Sequence, residues 1–156
     1  MRVNLATTLD CGLEQAVAHV MTPRLLCHVA RPWVRFAPEP GHRFPATWQE
    51  GTHWVRLRLF GCVPLGRQAI VISTPPAPMP GGFALRDNGH SALIRRWDHL
   101  ITIEPLADGR VRYGDRVDIQ AGWLTPLVWL FAQGFYRHRQ RRWKKLAATG
   151  FNYPAV

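Results

Sequence analysis

The chain predicts an α+β fold: a curved antiparallel β-sheet wrapped around a long C-terminal α-helix, with two short helices after the first strand. Three observations carry this. Apolar and polar residues alternate from Val3 to Leu9, and two short stretches of helical spacing follow at once. From His53 onward, period-two segments succeed one another, separated by Pro, Gly and Asn-Gly turn residues. The chain then closes on one helical stretch, Leu124 to Ala147, apolar along a single stripe. A long helix laid across a curved sheet encloses a pocket, and a pocket implies a ligand.

Each element has its own justification. Val3 to Leu9 reads as a strand. Asp10 is placed to N-cap a helix running to Val20, on which Leu13, Ala16, Val17 and Val20 share one face. Pro23 suits the first turn of a second helix through Arg24 to Ala30. Arg31 to Gly51 holds Pro32, Pro38, Pro40 and Pro45 and reads as a long loop with room for a short strand; loops of this length are often functional rims or lids. His53 to Gly61 alternates, with Val55, Leu57 and Leu59 on one face and Arg56 and Arg58 on the other. Pro64-Leu65-Gly66 turns the chain and Arg67 to Thr74 returns. Pro75 to Gly82 cannot pair as sheet and is loop.

Phe83 to Asp87 and His90 to Ile94 flank Asn88-Gly89, a strong signal for a two-residue hairpin. That hairpin sets Phe83 and Leu85 opposite Ile94 and Ala92, whereas Trp97, Ile101 and Ile103 have the other parity. A β-bulge at Arg95-Arg96 is the expected cause. A three-residue loop, Ala107-Asp108-Gly109 with Gly109 left-handed, pairs Trp97 with Ile119, His99 with Val117, Ile101 with Asp115 and Ile103 with Tyr113. Arg110, Arg112, Arg116 and Asp118 then face solvent. The last helix takes Pro126 in its first turn and turns Leu124, Val128, Phe131, Phe135 and Leu146 to the sheet, with Ala132 and Trp143 beside them. Residues 1–150 make one domain and 151–156 a tail.

Composition limits the function. The 156 residues suffice for one domain with a sizeable core. No secretory segment opens the chain, and no apolar run approaches the roughly 20 residues of a membrane-spanning helix. Cys11, Cys27 and Cys62 are odd in number, far apart and free of CxxC spacing, which favours a reduced, cytoplasmic protein whose cysteines are small buried apolar residues. The histidines show no metal-ligand spacing, and neither a phosphate-binding Gly-rich loop nor a GxSxG elbow occurs, so no metal or cofactor is expected. The net charge is +10, and Arg137, Arg139, Arg141, Arg142, Lys144 and Lys145 supply six positive charges with no acid among them.

The run WDHLITIEPLADGRVRYGDRVDI followed by the helix TPLVWLFAQGFYRHRQRRWKKL, in this order of elements, resembles the START-like superfamily, also called SRPBCC or Bet v 1-like, whose members include bacterial polyketide cyclase/dehydrase and lipid-transport proteins. The resemblance covers most of the chain and implies the helix-grip fold, with a mostly apolar cavity between sheet and helix. It implies binding of a hydrophobic small molecule or lipid, and enzymatic activity in some members only. Mapped onto this chain, the cavity is expected to be lined by Val55, Leu57, Leu59, Phe83, Leu85, Trp97, Ile101, Tyr113, Val117, Phe131 and Phe135, with His99 and Asp115 as polar handles.

The inward face of the last two strands sets His99, Tyr113 and Asp115 among apolar residues. A carboxylate diagonal to an imidazole can hold one tautomer and raise its pKa, making His99 with Asp115 or Tyr113 a candidate acid/base pair for cyclase/dehydratase chemistry. Buried polar groups ordinarily satisfy one another, and Asp115 has Arg139 and Arg142 on the sheet side of the helix as alternative partners, so the structural role ranks first. The basic run reads three ways, in descending order. It is a solvated helix end complementing the dipole. It is a contact for an anionic membrane through Arg137, Arg141, Lys144 and Lys145 with Trp143 as anchor. Last comes nucleic-acid binding, for which interleaved stacking aromatics are lacking.

Overall fold

In the computed structural model, which describes residues 1–154, the first strand pairs with the last. The elements run β1 (Arg2–Leu9), α1 (Leu13–Val20), α2 (Pro23–Ala30), β2 (Val34–Pro38), β3 (Gly51–Leu59), β4 (Val63–Ser73), β5 (Phe83–Ser91), β6 (Arg96–Pro105), β7 (Val111–Gln120) and α3 (Thr125–Ala148). The seven strands form one antiparallel sheet in the order β1-β7-β6-β5-β4-β3-β2. The long helix α3 packs on β1, β7 and α2. This is the helix-grip arrangement.

Alternation decides which face is inside. In β7, Val111, Tyr113, Asp115, Val117 and Ile119 are buried, while Arg112 and Arg116 are exposed. The β6–β7 register matches the three-residue-loop expectation pair for pair, and Gly109 adopts φ +82°. In β3, Val55 is buried between exposed Arg56 and Trp54. Pro23 opens α2 as expected, and Thr22 Oγ1 caps it by accepting the Leu25 N–H at 3.2 Å. Asp10 does not cap α1; Gly12 holds that position without a side-chain bond, because the chain makes two more residues of turn before the helix begins.

Two turn assignments and one bulge are corrected. Asn88-Gly89 lies inside β5, not at its end. The strand runs on to Ser91 and turns over Ala92–Arg95, where Ser91 N donates to the Ile94 carbonyl at 2.9 Å. Gly89 is required there for another reason: a Cβ would sit 2.7 Å from the Ala69 carbonyl oxygen of β4. With that turn, Phe83 opposes Ile103, Leu85 opposes Ile101 and Asp87 opposes His99, so parity is continuous and no bulge forms at Arg95-Arg96. The β3–β4 turn comes earlier than Pro64, at Phe60-Gly61, where both residues take positive φ. Pro64-Leu65-Gly66 is the irregularity instead: the register shifts between Leu57 and Arg58, leaving Leu65 extra.

Two further expectations change. Cys62 is exposed in that early turn and Cys27 is half-buried, leaving only Cys11 in the core. The buried stripe of α3 is Ala132, Phe135, Tyr136, Gln140, Trp143, Leu146 and Ala147, while Leu124, Val128 and Phe131 are half-buried. Beyond α3, Phe151 stacks on His19 at 3.8 Å and the Tyr153 hydroxyl lies 3.0 Å from His19 Nδ1, so this part of the tail packs on α1. Ala155 and Val156 lie outside the described residues.

Candidate functional site

A cavity of about 410 Å³ opens between the sheet and α3. Its walls contain Leu57 and Leu59 of β3, Leu85 of β5, Trp97, His99 and Ile101 of β6, and Phe131 and Phe135 of α3. The other expected lining residues lie elsewhere. Val55 is buried in the cluster that holds Trp48, which the 39–50 loop folds into the core. Phe83 packs in the same cluster, and Val117 packs with Val3, Ile119 and Ala132 near the base of α3. Tyr113 lies edge-on to Trp143 at 4.3 Å, and with Asp115 forms the layer behind the wall. The physical reason is local: β7 runs directly beneath α3, and large α3 side chains fill the space above it.

His99, Tyr113 and Asp115 do come together, with a fourth member. His99 Nε2 is 2.7 Å from Asp115 Oδ1, the Tyr113 hydroxyl donates to the same oxygen, and Gln140 Nε2 donates to Asp115 Oδ2 at 2.8 Å. All four are buried. Burial works against the Asp115 charge, but the donors from His99 and Tyr113 and the positive field of Arg139 hold its carboxyl below the ordinary range. Burial pushes the His99 imidazole down, against the pull of Asp115. His99 is therefore the neutral tautomer with its proton on Nε2, donated to an ionised Asp115. Nδ1 has no hydrogen-bond partner among the described residues, and His99 is the member of this group on the cavity wall. Burial and Asp115 push the Tyr113 phenol well above its usual value, so it stays a donor.

Two charged residues on the wall stand outside the sequence-derived set. Asp87 of β5 accepts the Val71 N–H at 2.9 Å where the β4–β5 ladder has a gap, and burial pushes its carboxyl up to about 7. Asp87 was hidden by the Asn88-Gly89 pair, which placed it at a turn. Arg139 of α3 also lines the cavity, four residues after Phe135 and on the sheet side. It does not pair with Asp115. Arg142 turns to the His28 carbonyl at 3.0 Å. Trp143 is buried, so it cannot anchor the helix to a surface. Arg137, Arg141, Lys144 and Lys145 remain exposed. Trp97 ties strand to helix through Nε1, which donates to the Tyr136 hydroxyl at 3.0 Å.

No group of three or more His, Cys, Asp or Glu among the described residues is placed to hold a metal, and no helix among them is long and apolar enough to cross a membrane.

The architecture is the helix-grip fold of START and Bet v 1-like proteins. A family model described as a domain of unknown function, DUF8410, matches residues 7–147, and the chain belongs to that family. Among solved structures it is similar to a START superfamily protein from Mycobacterium smegmatis (10% identity, TM-score 0.60, covering 95% of this chain and 97% of that one). It is also similar to the AHSA1 protein of Silicibacter pomeroyi (13%, 0.62, 96% and 99%) and to Ara h 8.0201 (8%, 0.62, 96% and 98%). At these identities the likeness is one of fold. No curated protein matches the chain.

Proposed function

We propose that the protein binds a hydrophobic or amphipathic small molecule in the cavity between sheet and α3, for transport or sequestration. The observation that supports this most is the cavity itself. Its volume, about 410 Å³, lies within the range of small-molecule sites, and its wall is aliphatic and aromatic with a few polar groups. Leu65, Leu93 and Leu127 line it and are also exposed, so apolar surface reaches from the cavity to solvent. Native mass spectrometry of the purified protein tests the reading. A co-purifying or bindable apolar adduct is expected, and its absence across a panel of apolar compounds would sink the proposal.

A second reading, cyclase/dehydratase-like acid/base chemistry, is favoured by one observation: neutral His99 lines the cavity, is steadied through Nε2 by Asp115, and has no hydrogen bond to a described residue at Nδ1. Tyr113 is less suited, being bonded to Asp115 and behind the wall. His99→Ala separates the two readings. A carrier keeps most of its ligand affinity, whereas an enzyme binds but stops turning over. For an anionic membrane surface the protein offers four exposed cations at the end of α3, with no exposed aromatic anchor beside them among the described residues. Binding to anionic vesicles that collapses with added salt is the expected signature of that role. Nucleic acid has less support.

A further inference from the structure

We infer that the cavity takes an amphipathic carboxylate, with Arg139 as the receptor for its head group. This rests on the reading of the cavity as a ligand site and specifies its chemistry. A guanidinium is charged at every accessible pH and carries five N–H donors. Taking it out of water is costly unless an acceptor replaces the lost solvent. Arg139 has no such acceptor. The side chain is half-buried: its Nε is closed off without a hydrogen-bond partner, and no hydrogen bond or ion pair to a described residue engages its two terminal nitrogens. Its immediate company is the faces of Tyr136 and Phe135, with the guanidinium carbon 4.9 Å and 5.7 Å from the ring centroids.

The two carboxylates near enough to feel the charge are engaged elsewhere. Asp115 accepts from His99, Tyr113 and Gln140, and Asp87 accepts from Val71. They stabilise the cation at longer range without using its donors. With Nε closed off, the two terminal nitrogens are the donors that Arg139 keeps free as a lining residue of this largely apolar cavity. A planar pair of oxygens fits that fork, and the ligand's remaining surface must suit Trp97, Ile101, Phe131 and Phe135. The nearby Asp87 and Asp115 favour one negative charge on the ligand over two, which selects a carboxylate over a phosphate monoester.

The test compares decanoate with decanol, the same chain without the charge, on the full-length protein and on Arg139→Met and Arg139→Lys, by calorimetric titration. The wild type is expected to prefer decanoate by about tenfold or more. Arg139→Met should abolish the preference while keeping decanol affinity, and Arg139→Lys should retain part of it. Equal affinities for acid and alcohol in the wild type overturn the inference and leave the cavity reading standing. So does a preference that survives in folded Arg139→Met. If Arg139→Met does not fold, an undiminished preference in Arg139→Lys counts against the bidentate fork, and the wild-type comparison decides the rest. Failure of both probes, with no adduct on the protein as purified, removes the ligand-site reading and the inference with it.

Discussion

Asp87 sits where the sheet's hydrogen-bond ladder opens onto the cavity, and its carboxyl is raised to about 7 by burial. A raised carboxyl titrates later in the folded than in the unfolded state. Stability from this residue is therefore fully present below about pH 4 and is lost as pH rises toward 7, by at most about 1.4 kcal/mol per pH unit. His99 acts in the opposite sense. Its lowered pKa means the unfolded chain protonates first, so its contribution is lost as pH falls below the ordinary imidazole value. The residue-specific signal is thus a difference: Asp87→Asn should gain stability over wild type between pH 5 and 8 and lose that advantage near pH 4. Urea unfolding of both proteins across that range checks it, and parallel curves would refute the assignment. Asp115→Ala, by contrast, leaves three buried donors without their acceptor. A loss of about 3 kcal/mol or more is expected in the same measurement. The existence of this cluster was legible from alternation in β6 and β7. Gln140 was not, because a glutamine within a basic run gives no sign of which way it points.

At the scale of elements, α3 is positioned by a close approach to Trp33. A Cβ at Gly134 would lie 2.8 Å from Trp33 Cη2, and that ring is hemmed in by Phe60, Phe131, Phe135 and His138. Gly134→Ala gains about 1 kcal/mol of helix propensity but overpacks the contact at a cost of about 1–3 kcal/mol. A net loss of stability is expected, together with weaker ligand binding, since Phe131 and Phe135 line the cavity. Thermal unfolding and the decanoate titration read the two effects; a stabilised Gly134→Ala would show that the contact is slack. Elements with a strict period were readable. The β6–β7 hairpin came out in register because only one loop length kept apolar residues opposed. The β5–β6 turn was misplaced because Asn-Gly is permissive for a tight turn without compelling one. In this fold Gly89 answers to the neighbouring Ala69 carbonyl across the sheet.

For the whole molecule, a ligand that fills the cavity binds the folded chain alone. It should raise the unfolding free energy by about 2.7 kcal/mol at a hundredfold excess over its Kd, seen as a concentration-dependent Tm. Decanoate and decanol should differ in this shift for the wild type and agree for Arg139→Met. The basic end of α3 dominates the net charge yet divides in the structure: Arg139 turns into the cavity, Arg142 to a backbone carbonyl, and Arg137, Arg141, Lys144 and Lys145 to solvent. Period-two and helical spacing, which are local, determined by themselves the fold class, the element order and the inward face of the last two strands. Only the tertiary structure decided which inward residues reach the cavity, that Asp87 joins them, and that Arg139 lacks a partner. Those depend on where a neighbouring strand ends and how large the opposing side chains are. Neither is a local property of the chain.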